Sequence, residues 1–401
     1  MKEYQKYTCL FGGGAIRGVS YIGAIKALEE LEIFSETLGG SSVGSIFAAL
    51  YAVGYKAEEL KDIFSKVNFN LFKDISFGIG PIFAFSKGEV FLEWIRDLIE
   101  SKFYGKKYKK GMMQTVCFKD LDKNLVIITT DLANFECKEF SKNETPDYEI
   151  ASAIRISCCM PGLMKPIEYN NSLLVDGDLQ KSKPMWKLAK SLLNNESRIL
   201  EFRLEGYYSG NEITGIDYAN AVYSCMTAVS TAFVTEIYAN NDKYDYVVLN
   251  TGEIVIVDFN LPEDKRNELI ESGYKQTMFY FKNNLRQKKE ILKPIYESIY
   301  KHLKRVNKLI GLNHVVPAKM QFGELFMDIS NSYSYIDSKI IEKINNLKDL
   351  FLQNMQYPKI IGPIKLNNSK LVKAEIASLL HDVQFKLDEI NDFLKLFDNL
   401  T

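Results

Sequence analysis

Histidine is scarce in this chain, and the scarcity limits the catalytic chemistry that the sequence can support. The 401 residues contain three histidines, His302, His314 and His381, all near the carboxyl end. A Ser–His–Asp triad would have to borrow one of them. The six cysteines have no CxxC spacing and no histidine near them in sequence, which argues against a zinc site. We expect neither a metal nor a cofactor.

The chain also lacks a charge imbalance and any long apolar run. Its 50 basic and 51 acidic residues leave a net charge of -1, so we expect no nucleic-acid partner. Apolar stretches such as 46–53 are far shorter than the roughly 20 residues of a membrane span. The first residues, "MKEYQKYTCL", have no apolar segment of signal-peptide length. These absences predict a cytoplasmic protein whose cysteines are free, buried thiols.

The pattern that is present in the first part of the chain is typical of an α/β protein. An apolar run at 7–11 ends in three glycines, which predicts a strand entering a tight turn. Ile22, Ile25, Leu28 and Leu31 recur at helical spacing, so a helix follows over 16–31. A second glycine turn precedes a small, apolar segment at 45–53 that predicts a buried helix. Strand, turn and helix, repeated, predict a mainly parallel sheet.

Further strands and helices continue this pattern until the composition of the sequence changes. We predict strands at 124–130, 173–175, 199–204 and 246–250, and helices at 148–156 and 218–238. After about 287 the chain is rich in Lys, Asn and Leu with helical periods and few glycines. We therefore predict two domains, an α/β domain over 1–285 and a helical C-terminal region over 286–401.

The first chemical motif is Gly40-Ser41-Ser42-Val43-Gly44, which fits G-x-S-x-G with Ser42 at its centre. In a nucleophile elbow the serine adopts an unfavourable backbone conformation, and small residues two positions before and after it let strand and helix approach. The N-terminal N–H groups of the following helix favour developing negative charge near the serine. The alternative is a flexible glycine-rich turn without catalytic function.

The second motif is "GGGAIRG" at 12–18, directly after the first strand. Its glycines free backbone N–H groups to point at an oxyanion. A dinucleotide fingerprint is the alternative, because Gly12, Gly14 and Gly18 give GxGxxxG and Glu36 follows at about the distance of a ribose-binding acid. That alternative leaves the Ser42 elbow unexplained.

The third motif is Asp176 in "LLVDGDLQ". An Asp–Gly pair at the end of a strand is common in tight turns, and this is the alternative interpretation. The functional interpretation makes Asp176 a general base that accepts the proton of Ser42. A Ser–Asp dyad needs no histidine, which suits the composition.

Together the three motifs resemble the patatin-like phospholipase family, from Tyr7 to about Lys282. The similarity includes "GGGAIRGVSYIGAIKALEE", "GGSSVGS", "SAIRISCCMPGLMKPIEYNNSLLVDGD" and "ESGYKQT". The resemblance implies a three-layer α/β/α fold and hydrolysis of fatty-acyl esters of phospholipids or lysophospholipids through an acyl-enzyme. It implies Ser42 as nucleophile, Asp176 as base and an oxyanion hole at Gly13, Gly14 and Ala15. It also implies supporting roles for Gly12, Arg17, Gly18, Gly40, Gly44 and Gly177.

Two residues depart from the family pattern. Ala15 stands where the family has its third glycine, and we expect it to be tolerated with a negative φ. The family's DGG or DGA is DGD here, so Asp178 places a second carboxylate near Asp176. We expect Asp178 to point to solvent; if both carboxyls were buried, one pKa would rise.

The remaining features concern access to a lipid. Six phenylalanines (69, 72, 77, 83, 85 and 91) could line an acyl channel or a lid, or pack in the core. Lysines at 106–110 could contact anionic headgroups or lie in a solvated loop. The basic amphipathic helix at 286–310 could lie on a membrane surface, or pack its apolar stripe against the catalytic domain with its lysines in water. We expect a cytoplasmic enzyme that binds membranes transiently; any protein activator is unspecified. A catalytically silent membrane- or partner-binding relative is the remaining alternative.

Overall fold

The computed structural model contains two compact units. Unit 1 comprises residues 1–239 and 243–279, and unit 2 comprises 240–242 and 280–401. The predicted boundary between 285 and 286 lies at the end of the π-helical segment Tyr280–Leu285, which belongs to unit 2. The structure describes residues 6–72, 74, 84, 86–180, 198–206, 244–254, 261–330, 332, 336–358 and 363–398.

Unit 1 is built on an eight-stranded mixed sheet. Its strands are β1 (Lys6–Phe11), β2 (Phe34–Ser41), β3 (Asn124–Asp131), β4 (Glu136–Ser141), β5 (Ile167–Tyr169), β6 (Ser172–Asp176), β7 (Arg198–Glu205) and β8 (Tyr244–Asn250). Their order is β5-β6-β3-β2-β1-β7-β8, with β4 also paired to β3. The pairs from β3 through β2, β1 and β7 to β8 are parallel, whereas β4, β5 and β6 are joined by antiparallel pairs.

Helices flank this sheet. The described α-helices of unit 1 are α1 (Ser20–Glu30), α2 (Val43–Val53), α3 (Ala57–Lys66), α4 (Glu89–Tyr104), α5 (Ile150–Ser157) and α6 (Glu263–Phe279). Helices α1, α3 and α6 pack together, and α2 packs with α4 and α5. Residues 43–52 of α2 are all buried, because the helix consists of small and apolar residues. The predicted α/β class with a mostly parallel sheet and flanking helices is confirmed.

The element predictions are confirmed where the structure describes the chain. The predicted strands at 124–130, 173–175, 199–204 and 246–250 correspond to β3, β6, β7 and β8, and the predicted helix at 148–156 is α5. The predicted helix at 16–31 divides into a 3-10 helix, Ala15–Val19, and α1. The predicted helix at 218–238 lies outside the described residues.

Unit 2 has its own apolar core. It contains α7 (Arg286–Gly311), α8 (Val315–Ser330), α9 (Ser338–Gln353) and α10 (Ser369–Asp398), with a short antiparallel pair of β9 (Met355–Gln356) and β10 (Lys365–Leu366). The apolar stripe of α7, which includes Leu292, Tyr296 and Leu303, is buried in this core. The sequence left open a membrane surface or packing against the catalytic domain for that stripe; the structure buries it in the core of unit 2. Among the described residues, no helix is long and apolar enough to cross a bilayer.

Candidate active site

Ser42 lies at a strained turn between β2 and α2. Its backbone has φ 49° and ψ -132°, a conformation that an L residue rarely adopts and that costs on the order of 1–3 kcal/mol. The glycines on either side are required by close packing. A Cβ on Gly40 would lie 2.3 Å from the Gly44 carbonyl oxygen, and one on Gly44 would lie 2.0 Å from the Phe11 carbonyl oxygen. The G-x-S-x-G segment thus forms the elbow that its spacing predicts.

The register of the sheet brings Asp176 to this elbow. Asp176 ends β6 opposite Thr129 of β3, and Ser41 ends β2 opposite Ile128 of the same strand. The Ser42 hydroxyl donates a hydrogen bond of 2.7 Å to Asp176 Oδ2. Asp176 is fully buried and Ser42 is 6% exposed. A carboxylate on the nucleophile's hydroxyl, away from bulk water, is an arrangement that can take the serine proton.

Ser157, at the end of α5, supports the elbow. The Ser42 N–H donates to Ser157 Oγ at 2.9 Å, and the Ser157 hydroxyl donates to the Ile128 carbonyl at 2.6 Å. This relay ties the strained peptide of Ser42 to β3. Sequence reasoning gave Ser157 no role, although it lies within the segment that carries the family resemblance.

The glycine-rich turn follows β1 at the same edge of the sheet. The Gly12 N–H donates to the Phe202 carbonyl, and the Gly12 carbonyl accepts from the Tyr21 hydroxyl at 2.7 Å. Gly14 has φ 151°, and a Cβ there would lie 2.6 Å from Leu204 Cδ1. Ala15 has φ 48°, so the expectation of a negative φ is wrong. The turn needs the left-handed conformation at this position, which costs alanine roughly 1–2 kcal/mol.

Asp178 is buried in the site, so the expectation that it points to solvent is also wrong. It is 2% exposed. Its Oδ1 accepts from the Gly13 N–H at 3.1 Å and from the Ser41 hydroxyl at 2.5 Å, and its own N–H donates to Asp176 Oδ1 at 2.8 Å. The Gly13 amide, predicted as an oxyanion donor, is therefore occupied by this carboxylate.

The other motif residues hold the backbone of the site together. Arg17 Nε donates to the Ile254 carbonyl at 2.7 Å, and partial burial lowers the pKa of its guanidinium. A Cβ on Gly18 would lie 2.3 Å from Val43 Cγ2, so this glycine admits the first residue of α2. A Cβ on Gly177 would lie 2.2 Å from the Ile128 carbonyl oxygen. The structure thus brings all the predicted site residues to one edge of the sheet.

Two cysteines lie beside the dyad. The Cys158 thiol is 3.9 Å from Ser45 Oγ, and burial, followed by the Asp176 charge, raises its pKa well above the ordinary value. Burial raises the pKa of Cys159 to about 12. Both thiols are therefore protonated near neutral pH and are poor nucleophiles.

None of the five described cysteines is in a disulfide bond, in agreement with prediction. Cys9 and Cys159 are buried, whereas the other three are partly exposed, so the expectation of burial is wrong for those three. Cys225 lies outside the described residues.

The histidines belong to unit 2. His302 is held there by Asp328, 2.9 Å from its Nε2, and by Gln321, 2.6 Å from its Nδ1. Among the described residues, no group of three or more His, Cys, Asp or Glu side chains could hold a metal ion.

The described phenylalanines near the elbow helix pack into an aromatic cluster. Phe72 contacts Trp94 and Phe91, with ring centroids 4.9 and 5.6 Å apart, and Phe64 stacks against Phe47 of α2 at 4.8 Å. Phe77, Phe83 and Phe85 lie outside the described residues. The part of the Phe-rich segment that the structure describes is thus packed behind the elbow helix.

A family model matches the part of the chain that contains the three motifs. Residues 10–186, which include all three motifs, match the family model described as patatin-like phospholipase. The predicted resemblance is confirmed over this span: residues 10–186 match a patatin-like phospholipase domain.

One relative matches over most of both chains. YqhO of Bacillus subtilis is 24% identical over 68% of this chain and 97% of its own length. Other relatives are named for lipid hydrolysis. Probable lipid hydrolase 463L of Invertebrate iridescent virus 6 is 28% identical over 46% of this chain and 63% of its own length. Lysophospholipase NTE1 of Meyerozyma guilliermondii is 27% identical over 45% of this chain, which spans 12% of that relative.

Among solved structures, VipD from Legionella pneumophila covers 96% of this chain and 90% of its own, with 16% identity and a TM-score of 0.46. Similarity at that level supports no inference about this chain.

Proposed function

We propose that the chain is a lipid acyl hydrolase that cleaves fatty-acyl ester bonds through a Ser42–Asp176 dyad, with unit 1 as its catalytic domain. The single observation that carries the proposal is the 2.7 Å hydrogen bond from the Ser42 hydroxyl to Asp176 at a strained elbow. The patatin-like domain and the relatives named as lipid hydrolases give the substrate class.

The first half of the reaction forms an acyl-enzyme. Ser42 Oγ attacks the ester carbonyl carbon while Asp176 Oδ2 takes the hydroxyl proton. The tetrahedral intermediate then breaks its bond to the leaving alcohol, and protonated Asp176 gives the proton to that oxygen. The acyl group is left as an ester on Ser42.

The second half returns the free enzyme. Asp176 takes a proton from water, whose oxygen attacks the acyl carbonyl. Collapse of the second intermediate releases the fatty acid and returns the proton to Ser42 Oγ. Asp176 acts as base and acid in turn, so the cycle needs no histidine.

The glycine-rich turn is the proposed oxyanion hole, with the Gly14 and Ala15 amides as donors. These residues begin the 3-10 helix Ala15–Val19, and the first N–H groups of a helix have no partner within it. Their dipoles favour the negative charge that develops on the carbonyl oxygen. The left-handed backbone at Ala15 supports this role, since strained backbone conformations cluster at functional sites.

We further propose a phospholipid or lysophospholipid as the substrate, reached by transient, peripheral contact of a cytoplasmic protein with a membrane. Lysophospholipase NTE1 supports the class of substrate. The four exposed basic side chains of α7, Lys301, Lys304, Arg305 and Lys308, support the membrane contact.

The geometry argues against a nucleotide site at the glycine-rich turn. Glu36, the candidate ribose-binding acid, lies in β2 beside Tyr7 and Thr8 of β1. The glycine-rich turn begins after Phe11, at the other end of that strand. At about 3.3 Å a residue, the acid is on the order of 10 Å or more from the turn. A ribose-binding acid belongs at the carboxyl edge.

Hydrolysis of a lysophospholipid and of a soluble short-chain ester tests the proposal. We expect wild type to release free fatty acid and Ser42→Ala to lose at least about 1,000-fold in turnover with an unchanged fold. Ser41→Ala is the matched control and should lose no more than about tenfold. A folded wild type that hydrolyses no ester would favour the catalytically silent alternative, and a fully active Ser42→Ala would place the nucleophile elsewhere.

A further inference from the structure

We propose that Asp178 is a positioning residue that clamps the glycine-rich turn to the nucleophile elbow; this inference rests on the proposed function. One oxygen, Asp178 Oδ1, accepts from the Gly13 N–H of the turn and from the Ser41 hydroxyl of the elbow. Gly13 lies in the turn after β1 and Ser41 ends β2 directly before the elbow, so this atom joins the turn to the elbow.

The same residue also orders the proposed base. The Asp178 N–H donates to Asp176 Oδ1 at 2.8 Å, while the other oxygen of Asp176 accepts from Ser42. The carboxylate of Asp176 is therefore fixed at both oxygens. Asp178 thus links the loops that carry the nucleophile, the base and the oxyanion donors.

Packing makes this clamp tight. A Cβ on Gly13 would lie 2.1 Å from Asp178 Oδ2, so the carboxylate fills the space against the glycine backbone. Both the carboxylate and the Ser41 side chain are buried, at 2% exposure each. A buried hydrogen bond to a charged group contributes more than a neutral one, and its removal leaves its donors unpaired.

The clamp makes a distinct demand on side-chain chemistry. It requires one acceptor oxygen at the position of Asp178 Oδ1 and no proton transfer. Asparagine supplies that oxygen, whereas alanine does not. A general base that is replaced by asparagine, by contrast, loses its function because an amide cannot take the proton. Asp178 and Asp176 can therefore be told apart by the same pair of substitutions.

The experiment measures kcat and KM for a soluble ester with Asp178→Asn, Asp178→Ala, Ser41→Ala and the Ser41→Ala/Asp178→Ala double variant. We expect Asp178→Asn to stay within about tenfold of wild type. Asp178→Ala should lose about 100- to 1,000-fold in kcat with KM within about threefold, as when an oxyanion donor is lost. Ser41→Ala should lose about 3- to 10-fold in kcat.

The double variant tests whether Ser41 acts through Asp178. If it does, the double variant is no slower than Asp178→Ala, because residues that act as a unit are not additive. Effects that multiply, or an Asp178→Ala variant with wild-type kcat, would overturn the clamp. If Asp178→Ala does not fold, the kcat of Ser41→Ala becomes the test. A Ser41→Ala variant with unchanged kcat, or with a change in KM alone, would overturn the clamp.

Ser42→Ala, measured beside these variants, separates this inference from the proposed function. If Ser42→Ala is inactive while Asp178→Ala is fully active, the dyad stands and the clamp is overturned. If Ser42→Ala is fully active, the proposed function fails, and with it the inference that rests on it.

Discussion

The hydroxyl of Ser42 donates a hydrogen bond to the carboxylate of Asp176, although 134 positions separate the two residues in the chain. The contact depends on β3, which pairs with β2 on one side and with β6 on the other. Asp176, the last residue of β6, pairs with Thr129, and Ser41, the last residue of β2, pairs with Ile128, so the two strand ends lie on either side of β3. The two residues of the dyad meet because β2 and β6 are both neighbours of β3 in the sheet, although they are far apart in the chain.

Replacing Asp176 by Asn should be nearly as damaging as Ser42→Ala. The amide keeps the shape of the carboxylate but cannot accept the serine proton. We expect a loss in kcat of at least about 1,000-fold for a soluble ester, with Tm close to that of wild type. Substantial turnover by a folded Asp176→Asn variant would mean that another group is the base.

Replacing Ala15 by Gly should not destabilise unit 1. Ala15 has φ 48°, where glycine avoids the steric cost, although glycine also has more freedom in the unfolded chain. We expect the free energy of unfolding to rise by up to about 1 kcal/mol. Ala27→Gly, in the right-handed helix α1, is the control and should lose about 1 kcal/mol or more. Equal losses from both substitutions would contradict the left-handed turn.

Replacing all three histidines, His302, His314 and His381, by Gln should leave substantial turnover of a soluble ester. The dyad requires no imidazole, and His302 is held by Asp328 and Gln321 of unit 2. Circular dichroism checks that the triple variant folds. A folded triple variant without activity would show that a histidine takes part in the mechanism.

Alkylation with iodoacetamide at pH 8 should not inactivate the enzyme. Burial raises the pKa of Cys159 to about 12, so roughly one thiol in 10,000 is ionised at pH 8. The pKa of Cys158 is also raised, so its reactive thiolate is suppressed at this pH and appears only at higher pH. Peptide mass spectrometry should find both residues unmodified, with denatured protein as the positive control. Loss of activity in proportion to the modification of Cys158 would contradict a thiol that stays protonated at pH 8.

Replacing Lys301, Lys304, Arg305 and Lys308 by Gln should weaken binding to anionic liposomes. All four side chains are exposed on α7, while its apolar stripe is buried in unit 2. Attraction through charge alone is worth about 1 kcal/mol per residue and is screened over roughly 8–10 Å. Co-sedimentation should therefore fall steeply with salt, with no change in turnover of a soluble ester.

The control for that measurement removes the same charge from other elements of unit 2. It replaces Lys343, Lys365, Lys370 and Lys373 by Gln. Liposome binding equal to wild type in the α7 variant, or an equal loss in the control, would show that the α7 face does not direct binding.

Much of unit 1 could be predicted because its signals are local. The glycine turn after β1, the G-x-S-x-G elbow and the Asp–Gly pair each lie within a few residues, and each indicates a specific backbone geometry. The helical periodicity of the C-terminal part predicted that unit 2 is helical, since buried positions in a helix repeat every three or four residues.

The errors arose where the contact is distant in sequence. Asp178 meets Gly13 across 165 positions, and nothing near "DGD" indicates a buried acceptor. Ser157 meets the Ser42 amide across 115 positions and looks like any helical serine. Ala15 follows two glycines that pack against Leu204 and Asp178, both distant in sequence, and the residue type alone predicted the wrong sign of its φ.

The most direct test of the central claim is to map the covalent adduct that a fluorophosphonate forms with the native protein. Peptide mass spectrometry distinguishes Ser42 from its neighbours Ser41 and Ser45, and the Asp176→Asn variant serves as the matched control. The dyad predicts a single adduct on Ser42 in wild type, formed far more slowly in Asp176→Asn. An adduct on another residue, or ester hydrolysis by a protein in which Ser42 stays unmodified, would contradict it.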